Sequence, residues 1–214
     1  PAPAPPVQAA IGPASTSTAT TGNGPATTIT IQKPPGTSAG DVLLLQLGVA
    51  QFNPAEAGNV ICAPAGWQLV ISGSELPTNV DPAQPRFYQA IYRRVVDGSE
   101  GASFSFTFHS QSCAGTEVSK EAVGGIIRYT GVRTDAPIRA AGQGTLPDTS
   151  TAPSVAGAKH GDRVVALFGH PAFRSFTAPA GMTLAYRMTR TSTEGPTVMA
   201  SDAVQPANGA TGSF

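Results

Sequence analysis

The sequence predicts an all-β protein: an antiparallel, jelly-roll-like β-sandwich built from two related repeat units. Three observations carry this. The first is internal repetition. Thr28–Asp41 (TITIQKPPGTSAGD) is echoed by Thr149–Asp162 (TSTAPSVAGAKHGD), with Thr28, Gly36, Gly40 and Asp41 recurring at one spacing as Thr149, Gly157, Gly161 and Asp162. Each Gly-Asp opens an apolar run, and an APAG follows each run, at Ala63–Gly66 and Ala178–Gly181. Ala90–Phe104 and Ala200–Phe214 form a third matched pair of equal length. A repeat of this length is the signature of a supersecondary unit used twice. The second observation is punctuation: 24 Gly and 20 Pro divide the chain into short segments, as turns divide a sandwich. The third is that no segment sustains a 3.6-residue apolar period with caps, so little helix is expected.

The elements follow in order. Residues 1–24 are Pro/Ala-rich and then Ser/Thr-rich, and read as an extended N-terminal arm or linker. Residues 25–214 read as a single sandwich domain, with repeat units at about 25–133 and 146–214. Thr28–Gln32 alternates Thr and Ile, as a half-buried strand does. Val42–Ala50 is a near-continuous apolar run, short and closely bounded by turn signals, which predicts a buried strand. Gln51–Pro64 reads as a loop, Trp67–Ser72 as a strand, and Gly73–Pro85, with its prolines, as a long loop. Phe87–Val96 alternates in part. Ala102–Phe108 alternates cleanly and puts Phe104, Phe106 and Phe108 on one face. Glu121–Val132 is a strand whose Gly124-Gly125 pair signals a bulge or a close backbone approach. The second unit then begins. The first unit runs on past Phe104, whereas its match, Phe214, is the last residue printed. That asymmetry leads to an expectation: contacts with other chains order the arm, and either further residues or a neighbour complete the C-terminal edge.

Charged residues make up 12% of the chain, about half the usual share. Lys+Arg 13 balances Asp+Glu 13, so the electrostatic footprint of a nucleic-acid binder is missing. No apolar stretch approaches the ~20 residues of a membrane-spanning helix, and neither nucleic acid nor membrane insertion is expected. Cys62 and Cys113 are either a single disulfide or two free thiols.

Candidate chemistry is sparse. Gly36-Thr37-Ser38-Ala39-Gly40 matches G-x-S-x-G, but Pro34-Pro35 precedes it and a buried strand follows, where a nucleophile elbow needs a strand and then a helix. The second copy, Gly157–Gly161, keeps the glycines and loses the Ser. A turn therefore explains both copies, with Gly40, Asp41, Gly161 and Asp162 as its structural residues. His109, His160 and His170 lack metal-ligand spacing. A glycosidase pair would require two of the scattered carboxylates (Glu75, Asp81, Asp97, Glu100, Glu117, Glu121) to face each other. No catalytic residue, metal or cofactor is expected. Among the aromatics, Trp67 and Phe87 read as core, and Phe173, Phe176 and Tyr88 are the candidates for ligand contact.

The phrases TITIQKPPGTSAGDVLLLQLGV, APAGWQLV, FYQAIYRRVVDGSEGASFSFTF and GGIIRYTGV, with the second GDRVVALFG and APAGMTLAYRM, resemble a β-sandwich module of actinobacterial phage proteins. That module occurs in minor tail, fibre and other virion-surface proteins, and similar stretches occur in secreted bacterial proteins. The resemblance spans roughly residues 25–214. It implies a non-enzymatic structural or adhesive role on a particle, with other virion proteins, copies of itself or a host-surface glycan as partners. The alternative is a secreted carbohydrate-binding module. The shared motifs are turns and strands, so they carry over no functional residue.

Overall fold

A computed structural model describes residues 10–50, 58–75, 87–144, 151–191 and 195–214. Parts of the expected arm (1–9) and of the expected loops (51–57 and 76–85) lie outside the described residues. Among the described residues there are strands and turns but no helix. The strands are β1 (Gly12–Thr20), β2 (Thr28–Gln32), β3 (Val42–Ala50), β4 (Asn59–Cys62), β5 (Gln68–Glu75), β6 (Phe87–Val95), β7 (Ser103–Ser110), β8 (Glu121–Thr130), β9 (Arg163–His170), β10 (Thr183–Thr189) and β11 (Thr197–Val204). The protein is all-β, and its antiparallel sheets pack face to face as in a β-sandwich.

The layering is three sheets deep, where the sequence suggested the two of a jelly roll. A central sheet of order β1-β8-β3-β6-β5 has a sheet of order β2-β7-β4 on one face and a sheet of order β10-β11-β9 on the other. This explains why β3 is apolar at nearly every position. Leu43, Leu45, Leu47 and Val49 enter the first core with Ile29, Ile31, Phe104, Phe106 and Phe108. Leu44 points the other way, into a second core with Ile127, Tyr186, Val198 and Ala200. The two faces of β8 divide in the same way, and its two glycines serve one core each. A Cβ on Gly124 would lie 2.6 Å from Leu47 Cδ2, and one on Gly125 would collide with the Tyr186 ring. Close approach on both faces accounts for the pair.

Two segments depart from expectation. Residues 12–20, read as part of an arm awaiting another chain, form the edge strand β1, paired antiparallel with β8 from Gly12↔Thr130 to Thr20↔Val123. Thr and Ser suit an edge strand, where one side of the ladder faces water. Order therefore comes from this chain's own sheet. Within the expected loop Gln51–Pro64, Asn59–Cys62 forms β4 against β7. Cys62 and Cys113 are joined in a disulfide, which ties β4 to the segment after β7.

The two units repeat in backbone detail. Strands β3-β6-β5 lie side by side in one sheet, and β9-β11-β10 in the other. The Gly-Asp turns match: Asp41 accepts from the Ser38 N–H and Asp162 from the Lys159 N–H, both at 2.8 Å. Gly40 and Gly161 adopt φ of 88° and 86°, a left-handed conformation that favours glycine. Both APAG turns close alike, Trp67 N–H to Pro64 and Met182 N–H to Pro179. A bulge follows each, at Leu69/Ile71 and Leu184/Tyr186. One alignment shifts. The ladders set Val96 against Asp41 and Gln205 against Asp162, so Ala90 corresponds to Met199, one residue from the sequence match. Ile31 pairs with Phe104, and Ala152 exchanges both backbone hydrogen bonds with Phe214. A small third core of Ala166, Phe168 and Met199, with Ala152, Met182 and Phe214 against it, is thus a reduced copy of the first.

Candidate binding cleft

Several of the polar groups singled out in the sequence are engaged in holding turns and loops. Ser38 Oγ donates to Asp41 Oδ2 at 3.2 Å, and Arg128 Nε donates to the same oxygen at 2.6 Å. No histidine contacts Ser38 among the described residues. His109 is held by the Gly115 carbonyl and the Thr107 hydroxyl, and His170 Nδ1 by the backbone of Ala172. Desolvation lowers the His170 pKa. His160 donates its backbone N–H to Asn208. Glu100 is paired with Arg94 at 2.9 Å. Burial opposes the Glu100 charge, but the N–H groups of Asp97 and Gly98 and the Arg94 guanidinium outweigh it and lower the pKa. Asp97 accepts from Ser99, and Glu121 pairs with Arg190. Asp81 and the Glu75 side chain lie outside the described residues. No group of three or more His, Cys, Asp or Glu suited to a metal ion occurs among the described residues.

The ligand-contact candidates fall in different places. Tyr88 packs at the margin of the first core, and Phe176 packs on Phe168 in the third, with ring centroids 6.2 Å apart. Phe173 is 43% exposed and borders a hollow of about 330 Å³ with Arg174, Ser175 and Arg187. The three do not converge on one site.

The prominent concavity is elsewhere. It is a cleft of about 1180 Å³ between the central sheet and β9, and its origin is the offset of the two sheets. Strand β10 lies over β1 and β8, β11 over β8 and β3, and β9 over β3. Strand β9 reaches the margin of β6, where a Cβ on Gly169 would lie 2.6 Å from the Phe87 ring. The second-core faces of β5 and β6 therefore form the floor, with Val70, Ile71, Phe87, Gln89 and Ile91 upon it, of which Phe87 and Ile91 are buried. The segment 132–144 makes the outer wall. Ile138 packs into the second core, Arg139 is paired with Asp162 at 2.6 Å, and Gln143 lies against Gly73, where a Cβ would collide with it.

The cleft's inner end is fastened by a buried polar chain. Gln46 Nε2 donates to the Phe168 carbonyl at 2.8 Å and to Gln89 Oε1 at 3.0 Å. The Tyr186 hydroxyl is shared between Gln46 Oε1 and the Gly125 carbonyl. Tyr129 donates to Asp202 at 3.1 Å, and Arg163 lies 3.3 Å from the same carboxylate. Burial raises the pKa of both tyrosines, so their phenols remain neutral donors. These bonds join the two sheets and give the cleft a fixed end.

Along its other side the cleft is bordered by the edge of β9, which pairs with no strand among the described residues. The Gln205 N–H donates to the Asp162 carbonyl, which turns the backbone groups of Val164, Ala166 and Phe168 toward β11. Those of Arg163, Val165, Leu167 and Gly169 point outward, from the end strand of its sheet. No family model, curated protein or solved structure matches the chain.

Sequence reasoning missed Ile71, Gln89, Ile91 and the outward edge of β9 as a group. No motif marks them in the sequence. Only the stacking of the sheets brings them together.

Proposed function

We propose that this protein is a non-enzymatic structural or adhesion module of a phage virion surface, tail-associated or on the capsid, that holds neighbouring subunits or a host surface. The observation that carries the reading is the cleft: a large groove bordered by a strand edge that is unpaired among the described residues suits the holding of another protein segment. Low charge and the structural engagement of Ser38, Glu100 and Glu121 support it. Immunogold labelling of intact particles with antibody against the chain tests it. Label at a regular position on the particle is expected, and label confined to unassembled protein in the medium overturns it. On a panel of ester substrates, wild type and Ser38→Ala are expected to be equally inert. Hydrolysis that S38A abolishes would show an enzyme.

A second reading, carbohydrate binding, is favoured by the exposed Phe173 ring beside its shallow hollow, since exposed rings can stack on sugars. If it holds, the protein is retained on an immobilised neutral oligosaccharide and Phe173→Ala is not. Equal retention of the two, or none, sinks that reading.

A further inference from the structure

We infer that the hollow beside Phe173 is a site for an acidic sugar: the arginines at its border hold the oxyanion, and the Phe173 ring takes a face of the pyranose. The proposal rests on the carbohydrate reading given above and names the class of sugar. The hollow lies between β10 and the segment that follows β9, and Phe173, Arg174, Ser175, Arg187 and Arg190 are on its border. Three of the chain's 13 Lys and Arg thus meet at one place, in a protein of no net charge. Among the described residues no carboxylate borders the hollow. Arg190 is paired with Glu121 at 3.2 Å, and no ion pair among the described residues includes Arg174 or Arg187. Both of these arginines are exposed. The hollow therefore presents a surplus of positive charge next to an exposed ring.

The donors are held in place. The Arg174 N–H donates to Thr197 Oγ1 at 3.3 Å, which ties the segment to β11, and Phe176 anchors it further along by packing on Phe168. Arg187 Nη1 donates to the Phe176 carbonyl at 2.8 Å, and Arg174 Nη1 to the Phe173 carbonyl at 3.2 Å. A guanidinium carries five N–H donors in a planar fork. One carbonyl therefore leaves donors for a carboxylate or sulfate, whose geometry the fork matches. Arg190 is committed to Glu121 and to the Gly22 carbonyl, and acts on the hollow through its charge. The ring decides among anions. A simple inorganic anion makes no use of Phe173, which is 43% exposed. A nucleic acid needs a basic track along its backbone, and two exposed arginines do not form one. An acidic sugar uses every part: its C–H face packs on the ring, a hydroxyl meets Ser175, and its acid group meets the arginines. At about 330 Å³ the hollow lies at the small end of ligand sites, roughly 300–1,000 Å³, which suits one sugar residue of a longer chain.

The test uses the full chain and three probes, read by isothermal titration calorimetry: an oligogalacturonate, its methyl ester, which is the same sugar chain without the charge, and a sulfated galactan oligosaccharide. Saturable binding of at least one acidic probe is expected, and which of the two binds identifies the oxyanion. The methyl ester should bind about tenfold more weakly or worse, as the loss of a charge-assisted hydrogen bond implies. Arg174→Ala and Arg187→Ala should each weaken the acidic probe by about tenfold or more, and Phe173→Ala should weaken it too. Arg187→Gln keeps a donor for the Phe176 carbonyl and removes the charge, so it should lose as much as R187A. Recovery of binding in R187Q would mean that the arginine only holds the loop, and overturns the proposal. Arg133→Ala removes an exposed positive charge elsewhere and should bind as wild type does. Absence of binding by both acidic probes, equal binding of the methyl ester, or equal losses in R133A and R187A overturns the proposal. So does equally tight binding of inorganic polyphosphate, which would show attraction by charge alone. Retention on the neutral oligosaccharide with no gain for the acidic probes would keep the carbohydrate reading and remove this one. Binding of an acidic probe without neutral retention would keep this site and remove the reading by the ring alone.

Discussion

Phe106→Ala is expected to lower the unfolding free energy by about 3–5 kcal/mol, the usual cost of truncating a buried aromatic side chain. Phe106 is fully buried in the first core. Its ring centroid lies 5.5 Å from that of Trp67 and 5.8 Å from that of Tyr92, and across the ladder it pairs with Ile29. The ring thus joins the outer β2-β7-β4 sheet to the central sheet from the middle of the contact. Removing it leaves a cavity that strands on both sides cannot collapse to fill, because each is held in register by its neighbours. Phe106→Leu keeps much of the volume and should cost less than about 1.5 kcal/mol. Urea unfolding followed by Trp67 fluorescence measures both. A loss below about 1 kcal/mol for Phe106→Ala would mean that the outer sheet is not packed there.

The duplicated turn supports a paired prediction. Asp41→Ala should cost about 3–5 kcal/mol, and Asp162→Ala about 1 kcal/mol or less. The two carboxylates do the same local work, each accepting a backbone N–H three residues back at 2.8 Å, and each meets an arginine at 2.6 Å. Burial separates them. The Arg128 and Asp41 side chains are 15% and 8% exposed, and those of Arg139 and Asp162 are 50% and 24% exposed. Without Asp41, Arg128 keeps its desolvation cost and loses its counter-charge, whereas without Asp162, water solvates Arg139. Equal losses for the two variants would refute this. Acid titration adds a second check. Burial opposes the Asp162 charge, but Arg139 and the Lys159 N–H outweigh it and lower the pKa. The Asp162 contribution is therefore present above the unfolded value of about 3.9 and is lost as pH falls through the lower folded value. Wild type and Asp162→Ala should converge in stability as pH falls through this window.

Periodicity and turn chemistry, read from the sequence alone, determined the all-β class, the buried β3, the single apolar face of β7 and the recurring Gly-Asp turn. These are local properties: alternation fixes which face a side chain takes, and a left-handed glycine fixes where the chain reverses. Local rules failed at β1 and β4, where composition gives little apolar signal and order comes from pairing with β8 and β7. They also could not decide between free thiols and the Cys62–Cys113 bond, which depends on β4 meeting the segment after β7. The cleft lay beyond them for the same reason. Ile71, Ile91 and the edge of β9 carry no motif, and each reads as ordinary strand. Tertiary structure brought them together by stacking two similar sheets out of alignment, with β8 seated on β3 and no strand on the matching edge of β9 among the described residues. Strand order, layer offset and edge exposure depend on contacts between residues far apart in the chain, and a sequence pattern records such contacts only through which residues are apolar, not through which partners they meet.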